Sequence, residues 1–365
     1  MTSPLVAVDP PGNSPVRPYS CRTGRHRVSV SVTPDTSVRL SRLLTPFVST
    51  LPAPESGFPR VAWSIRYDPG DSPYPPGHER IEPVSPGEPR STLWLDRDRR
   101  ELNIDPATPA GLAVHLVARY VRILLRLAHA AGAEELFLHG GLVAAGSHGY
   151  GRGVAVLGDK RAGKTSTVLA AMLDGAAFVA NDDLSVRHEG ERWIGRGWPR
   201  AVSVRPDTLP ALGLGSGAGT AAGRLAHPAQ TDSARTDSAR TASPAGPAGP
   251  RRTFYPYELV DLLGAPPPRA DAPLTALVFP RFSDLPGPAV LRELEPPEAL
   301  GRLRRNLLRD PVKHADFLRD GSAGTAPDVS GALTALATAV PGYELTQHFS
   351  NLRAGAEHIA HLLHP

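Results

Sequence analysis

The chain has 365 residues, of which 41% are hydrophobic and 6% aromatic, so it is long enough for two domains with buried cores. Its 40 basic residues are matched by 36 acidic ones. With a net charge of +4, dispersed basic residues and no interleaved aromatics, the sequence gives no reason to expect a nucleic-acid partner. A single cysteine, Cys21, excludes an internal disulfide framework and a cysteine-based zinc cluster.

The sequence also indicates where the protein works. No apolar run reaches the roughly 18 residues that a membrane-spanning helix needs. The N-terminal stretch MTSPLVAVDPPGNSPVRP has many prolines and too short an apolar core for a signal peptide. We therefore expect a cytoplasmic protein with no membrane partner.

The N-terminal third is predicted to be a flexible lead-in, residues 1–24, followed by a small α+β module at residues 25–133. In HRVSVSVTP the valines alternate with polar residues, which is typical of a half-buried strand. VAWSIRY and STLWLDRDRRELNID predict further strands, the second of them a hairpin that turns at residues 96–99.

A long helix is predicted next, with Thr108 as its N-cap and Pro109 at the first helical position. Its apolar residues keep helical spacing, whereas Arg119, Arg122 and Arg126 fall on another face. These arginines are candidates for binding a partner, but we favour the interpretation that they form a solvated helix face.

The strongest functional motif is GDKRAGKTST, residues 158–167, whose first eight residues fit the P-loop pattern G-x-x-x-x-G-K-[ST]. The apolar residues 154–157 precede it, and a helix-forming segment follows it as far as Gly175. Loop N–H groups and the positive end of a helix dipole favour a phosphate. The pattern predicts that Lys164 reaches the β- and γ-phosphates of ATP and that the hydroxyl of Thr165 binds Mg²⁺. The predicted nucleotide-binding residues are Gly158, Asp159, Lys160, Arg161, Ala162, Gly163, Lys164, Thr165 and Ser166.

The P-loop domain is predicted to span residues 134–310, and a helical segment to follow at residues 311–365. Strands are expected at ELFLHGGLVAAG, AAFVANDDLSVRHEGERWIG, GWPRAVSVRPDTLP and LTALVFPRF. Residues 213–252 consist mainly of small residues and contain the direct repeat TDSARTDSAR, which predicts a disordered insertion. A functional flap and a tolerated expansion explain such an insertion equally well.

Two carboxylates, Asp182 and Asp183, follow the apolar run AAFVA. A P-loop kinase needs a carboxylate near its Mg²⁺ and a group that takes the proton of the acceptor hydroxyl. Neighbouring side chains on a strand point to opposite faces, so each aspartate can have its own role, and we favour this over a plain surface pair. His139, at the end of the strand before the P-loop strand, is a candidate for either a catalytic or a structural role.

Three further arginines are candidates for contacting the transferred phosphate or an acidic substrate. Arg200 and Arg205 flank the segment AVSV, and Arg281 follows LVFP. Exposed surface arginines are the simpler interpretation of all three.

The order of these motifs resembles the catalytic domain of HPr kinase/phosphorylase, and more closely the HPr-kinase-related proteins found beside peptide-modification enzymes. The matching stretches are LHGGLVA, VAVLGDKRAGKTST, FVANDDLSV and GWPRAVSVRP. The resemblance covers residues 135–210 strongly and residues 274–310 weakly. It implies an α/β P-loop kinase domain of the HPr kinase type.

The resemblance also implies roles for single residues. His139 matches the family's histidine, Asp182 the residue that activates the acceptor hydroxyl, and Asp183 a magnesium ligand. The P-loop departs from the family's form, because Lys160 and Arg161 stand where Ser and Gly are common. No clear equivalent of the motif for the reverse, phosphorolytic reaction is present, so dephosphorylation is not expected.

We therefore expect an ATP- and Mg²⁺-dependent kinase that phosphorylates a serine or similar hydroxyl, with a peptide or small protein as its partner. Two alternatives stay open: a small-molecule kinase of the same fold, and a regulatory protein that binds nucleotide without transferring phosphate. The resemblance leaves a homo-oligomer open as well, since HPr kinases are often hexameric.

Overall fold

The computed structural model describes residues 16–23, 26–52, 63–70, 77–83, 90–130, 135–146, 151–214, 251–308, 310, 315–319 and 328–364. The predicted lead-in up to residue 15 and the predicted insertion between residues 215 and 250 lie outside the described residues. The two ends of that insertion are described. The N–H of Leu214 donates to the carbonyl of Leu209, and Arg252 begins a strand, so the predicted bounds of 213 and 252 were too wide.

The N-terminal part of the chain forms a mixed seven-stranded sheet with two helices. Its strands are β1 (Arg17–Thr23), β2 (His26–Val32), β3 (Ser49–Pro52), β4 (Trp63–Tyr67), β5 (Glu79–Ile81), β6 (Leu93–Asp96) and β7 (Glu101–Ile104). Its helices are α1 (Pro34–Leu44) and α2 (Ala110–Ala130). The strand order is β3-β1-β2-β4-β7-β6-β5, in which β4 is parallel to β2 and to β7. Helix α2 packs across this sheet, against β2 and β4.

The local patterns predicted much of this module. The valines of β2 are buried and alternate with half-exposed residues, and β6 and β7 form the predicted antiparallel hairpin. The lead-in was predicted to extend to residue 24, but Arg17–Thr23 forms β1, which pairs with β2 along its whole length. The strand RPYSCRT has little apolar periodicity of its own, and pairing with β2 and β3 on either side stabilises it instead.

The second sheet has nine strands and holds the P-loop. Its strands are β8 (Glu135–Leu138), β9 (Gly140–Ala144), β10 (Gly153–Leu157), β11 (Ala177–Ala180), β12 (Leu184–Glu189), β13 (Arg192–Gly197), β16 (Asp271–Ser283), β17 (Val290–Leu294) and β18 (Gly342–His348). The order is β11-β9-β10-β16-β13-β12-β8, and β18 lies parallel to β16 with β17 on its other side. Strands β14 (Val202–Val204) and β15 (Arg252–Phe254) form a separate pair.

Helices cover both faces of this sheet, which makes the fold mixed α/β. The helices of this part of the chain are α3 (Lys164–Leu173), α4 (Thr208–Ala211), α5 (Pro256–Leu263), α6 (Pro296–Asn306), α7 (Ser330–Ala339) and α8 (Leu352–Leu363). Along β10, Val154 and Val156 join the core that contains α3 and α8, whereas Ala155 and Leu157 join the core that contains α6 and α7. Such a doubly covered strand is apolar on both sides, as the sequence of β10 is.

The first of these cores continues into the N-terminal module. Buried residues of α1, α2 and β2 belong to the same contiguous cluster as those of α3 and α8. The predicted modules at residues 25–133 and 134–310 therefore share one hydrophobic core.

The C-terminal segment differs from the prediction at one element. Helices α7 and α8 lie there, but Gly342–His348 forms β18, so the segment is not only helical. The sequence GYELTQH is mostly polar, and its strand conformation depends on hydrogen bonds to β16, which lies more than 60 residues earlier in the chain. Among the described residues, no helix is both long and apolar enough to cross a membrane.

Candidate functional site

The P-loop sequence lies in the structural context that its motif requires. Strand β10 ends at Leu157, α3 begins at Lys164, and the intervening loop closes with Gly163 in a left-handed conformation, at φ 101°. A Cβ atom on Gly163 would lie 2.8 Å from the ring of Phe282. Glycine is therefore needed here for two reasons, its backbone conformation and the close approach of an aromatic ring.

Hydrogen-bond donors converge at this loop. The Nζ of Lys164 donates to the carbonyls of Gly158, at 2.7 Å, and of Asp159, at 2.9 Å, so the ammonium group lies over the start of the loop. Within the described residues, the N–H groups of Lys160, Arg161 and Gly163 have no hydrogen-bond partner, and the first turn of α3 adds its own unpaired N–H groups. Such an array suits a phosphate group at a helix N-terminus.

Arg161 has an unusual backbone conformation for its residue type. Its φ is 74°, in the left-handed region that L-residues other than glycine rarely occupy. Arg161 stands at a position of the loop where glycine is common in the similar P-loops described above. The loop thus keeps a glycine-like backbone conformation with an arginine in place, and its side chain is exposed.

The predicted catalytic residues lie at two strand breaks that meet in space. His139 separates β8 from β9, and residues 181–183 separate β11 from β12. The Nδ1 of His139 donates to the backbone carbonyl of Asp182 at 3.3 Å. Asp182 itself has a left-handed φ of 67°, which aspartate tolerates better than most residues. The two aspartates therefore do not simply alternate along a continuous strand, as the sequence pattern suggested.

Asp182 and His139 differ in their electrostatic surroundings. The half-buried carboxylate of Asp182 makes no hydrogen bond or ion pair with the part of the chain that the structure describes. Burial and the nearby Lys164 lower the pKa of His139, and Asp182 only partly offsets them, so the imidazole is neutral at pH 7. Burial also lowers the pKa of Lys164, against the opposing effect of Asp182. Lys164, His139 and Asp182 thus form one site.

Asp183 has a quite different environment, because arginines surround it. Its Oδ1 accepts from Arg126 Nη1 at 2.7 Å, and its Oδ2 accepts from Arg200 Nη1 at 2.9 Å. Arg122 Nε lies 3.4 Å from the same Oδ2. Burial alone would raise the pKa of Asp183, but the three arginines outweigh it and hold the pKa of this carboxyl well below its usual range.

This arrangement corrects the prediction for α2. We expected Arg119, Arg122 and Arg126 to form a solvated face, but Arg119 and Arg126 are buried and Arg122 is half-buried. Arg122 also donates from Nη1 to the carbonyl of Pro199 at 3.0 Å. The helical spacing identified the face correctly, but not the carboxylate that lies against it.

The contacts between Asp183 and the arginines affect which residues could bind Mg²⁺. Mg²⁺ prefers oxygen ligands, and the Thr165 hydroxyl at the start of α3 and the Asp182 carboxylate fit that preference. Asp183 does not fit its predicted role as a metal ligand, because both of its oxygens already accept from guanidinium groups and a cation there would face three positive charges. Thr165 and Asp182, unlike Asp183, have side-chain oxygens that no described arginine holds.

The other predicted arginines are dispersed. Arg200 joins the group around Asp183, whereas Arg205 is exposed and makes no ion pair with any described residue. Arg281 is also exposed, near the end of β16, and donates from Nε to the hydroxyl of Thr346 at 3.0 Å. Sequence reasoning missed α2 as a contributor to the site. The signal for it was the presence of three arginines at helical spacing on a helix that is otherwise strongly apolar.

No protein-family model and no curated protein matches the sequence. Among solved structures, the Hpr(Ser) kinase/phosphatase from Coxiella burnetii matches 62% of this chain and 93% of its own chain, with 11% sequence identity and a TM-score of 0.26. At this level of similarity, the function has to be inferred from the site itself.

Proposed function

We propose that this protein is an ATP- and Mg²⁺-dependent kinase that transfers the γ-phosphate to a hydroxyl group of a peptide or small protein. The observation that carries the proposal is the position of the Asp182 carboxylate, which is near enough to the P-loop lysine, Lys164, for its charge to act on that lysine. The charge of Asp182 acts on the pKa of Lys164, yet the carboxylate has no partner in the described part of the chain. A carboxylate free to accept a proton beside a phosphate loop is what phosphoryl transfer requires.

The loop supplies the phosphate site. Lys164 and the unpaired N–H groups of Lys160, Arg161 and Gly163 neutralise the β- and γ-phosphates. The Thr165 hydroxyl provides the protein oxygen for Mg²⁺, and phosphate oxygens of the nucleotide supply further ligands, so the Asp182 carboxylate is left for the acceptor. The metal, when bound, offsets the negative charge on the phosphate oxygens.

Asp182 acts on the acceptor. It orients the hydroxyl and takes its proton as the hydroxyl oxygen bonds to the γ-phosphorus and the bond from that phosphorus to the β–γ bridging oxygen breaks, which releases ADP. His139 is a positioning residue, because its Nδ1–H holds the carbonyl of Asp182 and so fixes the left-handed turn. Most of the rate gain is electrostatic and positional.

Intact-mass spectrometry tests the proposal. The protein is incubated with ATP, Mg²⁺ and synthetic peptides encoded by the neighbouring genes, beside Lys164→Ala and Asp182→Asn. We expect a peptide to gain about 80 Da, one phosphoryl group, with the wild type and with Arg205→Gln, an exposed control. Neither Lys164→Ala nor Asp182→Asn should give this gain.

Two other results would replace the proposal. If no peptide gains mass but small hydroxyl compounds accelerate ADP release, the enzyme is a small-molecule kinase. If ATP binds and no acceptor accelerates its turnover, the chain is a nucleotide-binding regulatory protein.

A further inference from the structure

The arginines around Asp183 carry more positive charge than their carboxylate neutralises. We define the arginine cluster as Arg122, Arg126 and Arg200: three guanidinium charges against the one carboxylate of Asp183, an excess of two. Uncompensated charge away from water is costly, and burial together with Arg200 and Arg126 lowers the pKa of Arg122 to about 9, even though Asp183 opposes this. A further anion would therefore stabilise the arginine cluster.

The cluster also has hydrogen-bond donors to spare. A guanidinium group carries five N–H donors. Arg200 uses Nη1 on Asp183, makes no second hydrogen bond to a described residue, and leaves 40% of its side chain exposed. Arg126 is only 4% exposed, and its Nε and Nη2 have no partner, while its Nη1 donates to Asp183 Oδ1. Arg200 is thus the accessible member, and Arg122, at 14% exposure, lies next to it.

The position of the cluster relates it to catalysis. Asp183 follows Asp182 directly, so their Cα atoms are about 3.8 Å apart. The charge of Asp182 acts on Arg200 as well as on Lys164. Arg200 Nη1 lies 2.9 Å from Oδ2 of Asp183, the residue next to Asp182, so the arginine cluster and Asp182 are neighbours in the same site.

We propose that the arginine cluster binds an anionic group of the phosphate acceptor, a carboxylate or a phosphate close to the hydroxyl that is phosphorylated. Arg200 and Arg122 contact the anion, and Arg126 and Asp183 hold those two side chains in place. Arginine suits this role because its planar fork matches the two oxygens of a carboxylate or phosphate. The inference rests on the proposed kinase function and restricts its substrates to anionic acceptors.

Calorimetric titration on the full chain tests this inference. The P-loop is first saturated with a non-hydrolysable ATP analogue and Mg²⁺, and then inorganic phosphate and, separately, acetate are titrated. We expect one anion to bind per wild-type chain, and Arg200→Gln to weaken it at least about tenfold through loss of a charge-assisted hydrogen bond. Arg205→Gln, an exposed arginine of the same segment, should bind like the wild type. Preference for phosphate or for acetate identifies the kind of anion.

Three results distinguish a failure of the anion-site inference from a failure of the kinase proposal. Equal anion affinity in the wild type and Arg200→Gln overturns the inference. Weaker binding of the ATP analogue to Arg200→Gln, without a separate anion, also overturns it, because the cluster then serves the nucleotide. If the wild type binds no ATP analogue but binds phosphate in an Arg200-dependent manner, the anion site stands and the kinase proposal fails. A denaturant unfolding curve of Arg200→Gln that matches the wild type shows that the variant is folded.

Discussion

Arg126 of α2 donates to the carboxylate of Asp183 across a distance of 2.7 Å, and this contact brings the N-terminal module to the residue beside Asp182. Both side chains are buried, at 4% and 9% exposure. The two residues are 57 positions apart in the chain. Arg126 lies on α2, which packs against the first sheet, and Asp183 lies between β11 and β12 of the second sheet. The N-terminal module is therefore part of the site, and its position affects how Asp182 is held.

This contact predicts a large loss of stability in Asp183→Asn. The amide removes the one carboxylate that forms ion pairs with these three buried or half-buried guanidinium groups among the described residues. Breaking a buried ion pair from one side costs about 3–5 kcal/mol, and we expect the free energy of unfolding to fall by that amount in urea titrations. Asp207→Asn, an exposed aspartate whose side chain caps nothing, is the matched control. A loss of less than about 1 kcal/mol in Asp183→Asn, the size found for surface pairs, would contradict the role of this carboxylate.

The sequence predicted those features that depend on short-range patterns. The alternation in β2, the hairpin of β6 and β7, and the P-loop between β10 and α3 each follow from residues close together in the chain. Strands β1 and β18 were missed because their conformation depends on partners on other strands, not on their own apolar pattern.

The site shows the same division. The motif places Lys164 and Thr165 at the start of α3, and the neighbouring carboxylates follow from the strand ends. The different environments of Asp182 and Asp183 could not be predicted, because they arise from the packing of α2 against the second sheet and from the left-handed turn at Asp182. Helical periodicity identifies which residues share a face, but does not reveal what that face contacts.

Arg161→Gly is expected to stabilise the protein. Arg161 has a φ of 74°, where an L-residue loses about 1–2 kcal/mol relative to its preferred conformations. Glycine adopts this conformation without strain, which stabilises the folded protein. It also gives the unfolded chain more conformational entropy, which offsets part of this gain, so we expect a net rise of about 0.5–1 kcal/mol in the free energy of unfolding. Lys160→Gly is the control, since this exposed neighbour has no positive φ and should lose stability. Equal losses in both variants would show that Arg161 is not strained.

His139 predicts a specific pH dependence. Its pKa is lowered from the usual value of 6.5, mainly by burial and by Lys164. As the pH falls through 6.5, the unfolded chain takes up a proton before the folded protein does, so stability is lost below that pH and is fully present above it. His139→Asn keeps an N–H donor for the carbonyl of Asp182 but does not titrate.

We therefore expect the difference in unfolding free energy between the wild type and His139→Asn to be constant from pH 8 to about pH 6.5. Below about pH 6.5, the wild type should lose stability relative to His139→Asn as the pH falls. Urea titrations at half-unit intervals of pH measure the difference. Parallel curves down to pH 5 would mean that His139 titrates alike in both states.

Gly163→Ala separates backbone strain from steric contact at the P-loop. Gly163 and Gly175 both have a left-handed φ, at 101° and 93°, so alanine carries a conformational cost of about 1–3 kcal/mol at either position. Only at Gly163 would the new methyl group meet another residue, the ring of Phe282 at 2.8 Å, since a Cβ on Gly175 has nothing within 4 Å. Gly163→Ala should displace the loop N–H groups and weaken the binding of a fluorescent ATP analogue at least about tenfold.

Gly175→Ala should instead lower stability without changing nucleotide affinity, because it lies at the far end of α3. The double variant Gly163→Ala/Phe282→Ala removes the contact and should recover part of the affinity. Affinities measured by fluorescence anisotropy distinguish these effects. If Gly163→Ala and Gly175→Ala bind the analogue equally well, the packing of Phe282 against the loop does not set the geometry of the phosphate site, and the N–H groups of residues 160–163 adjust to the nucleotide on binding.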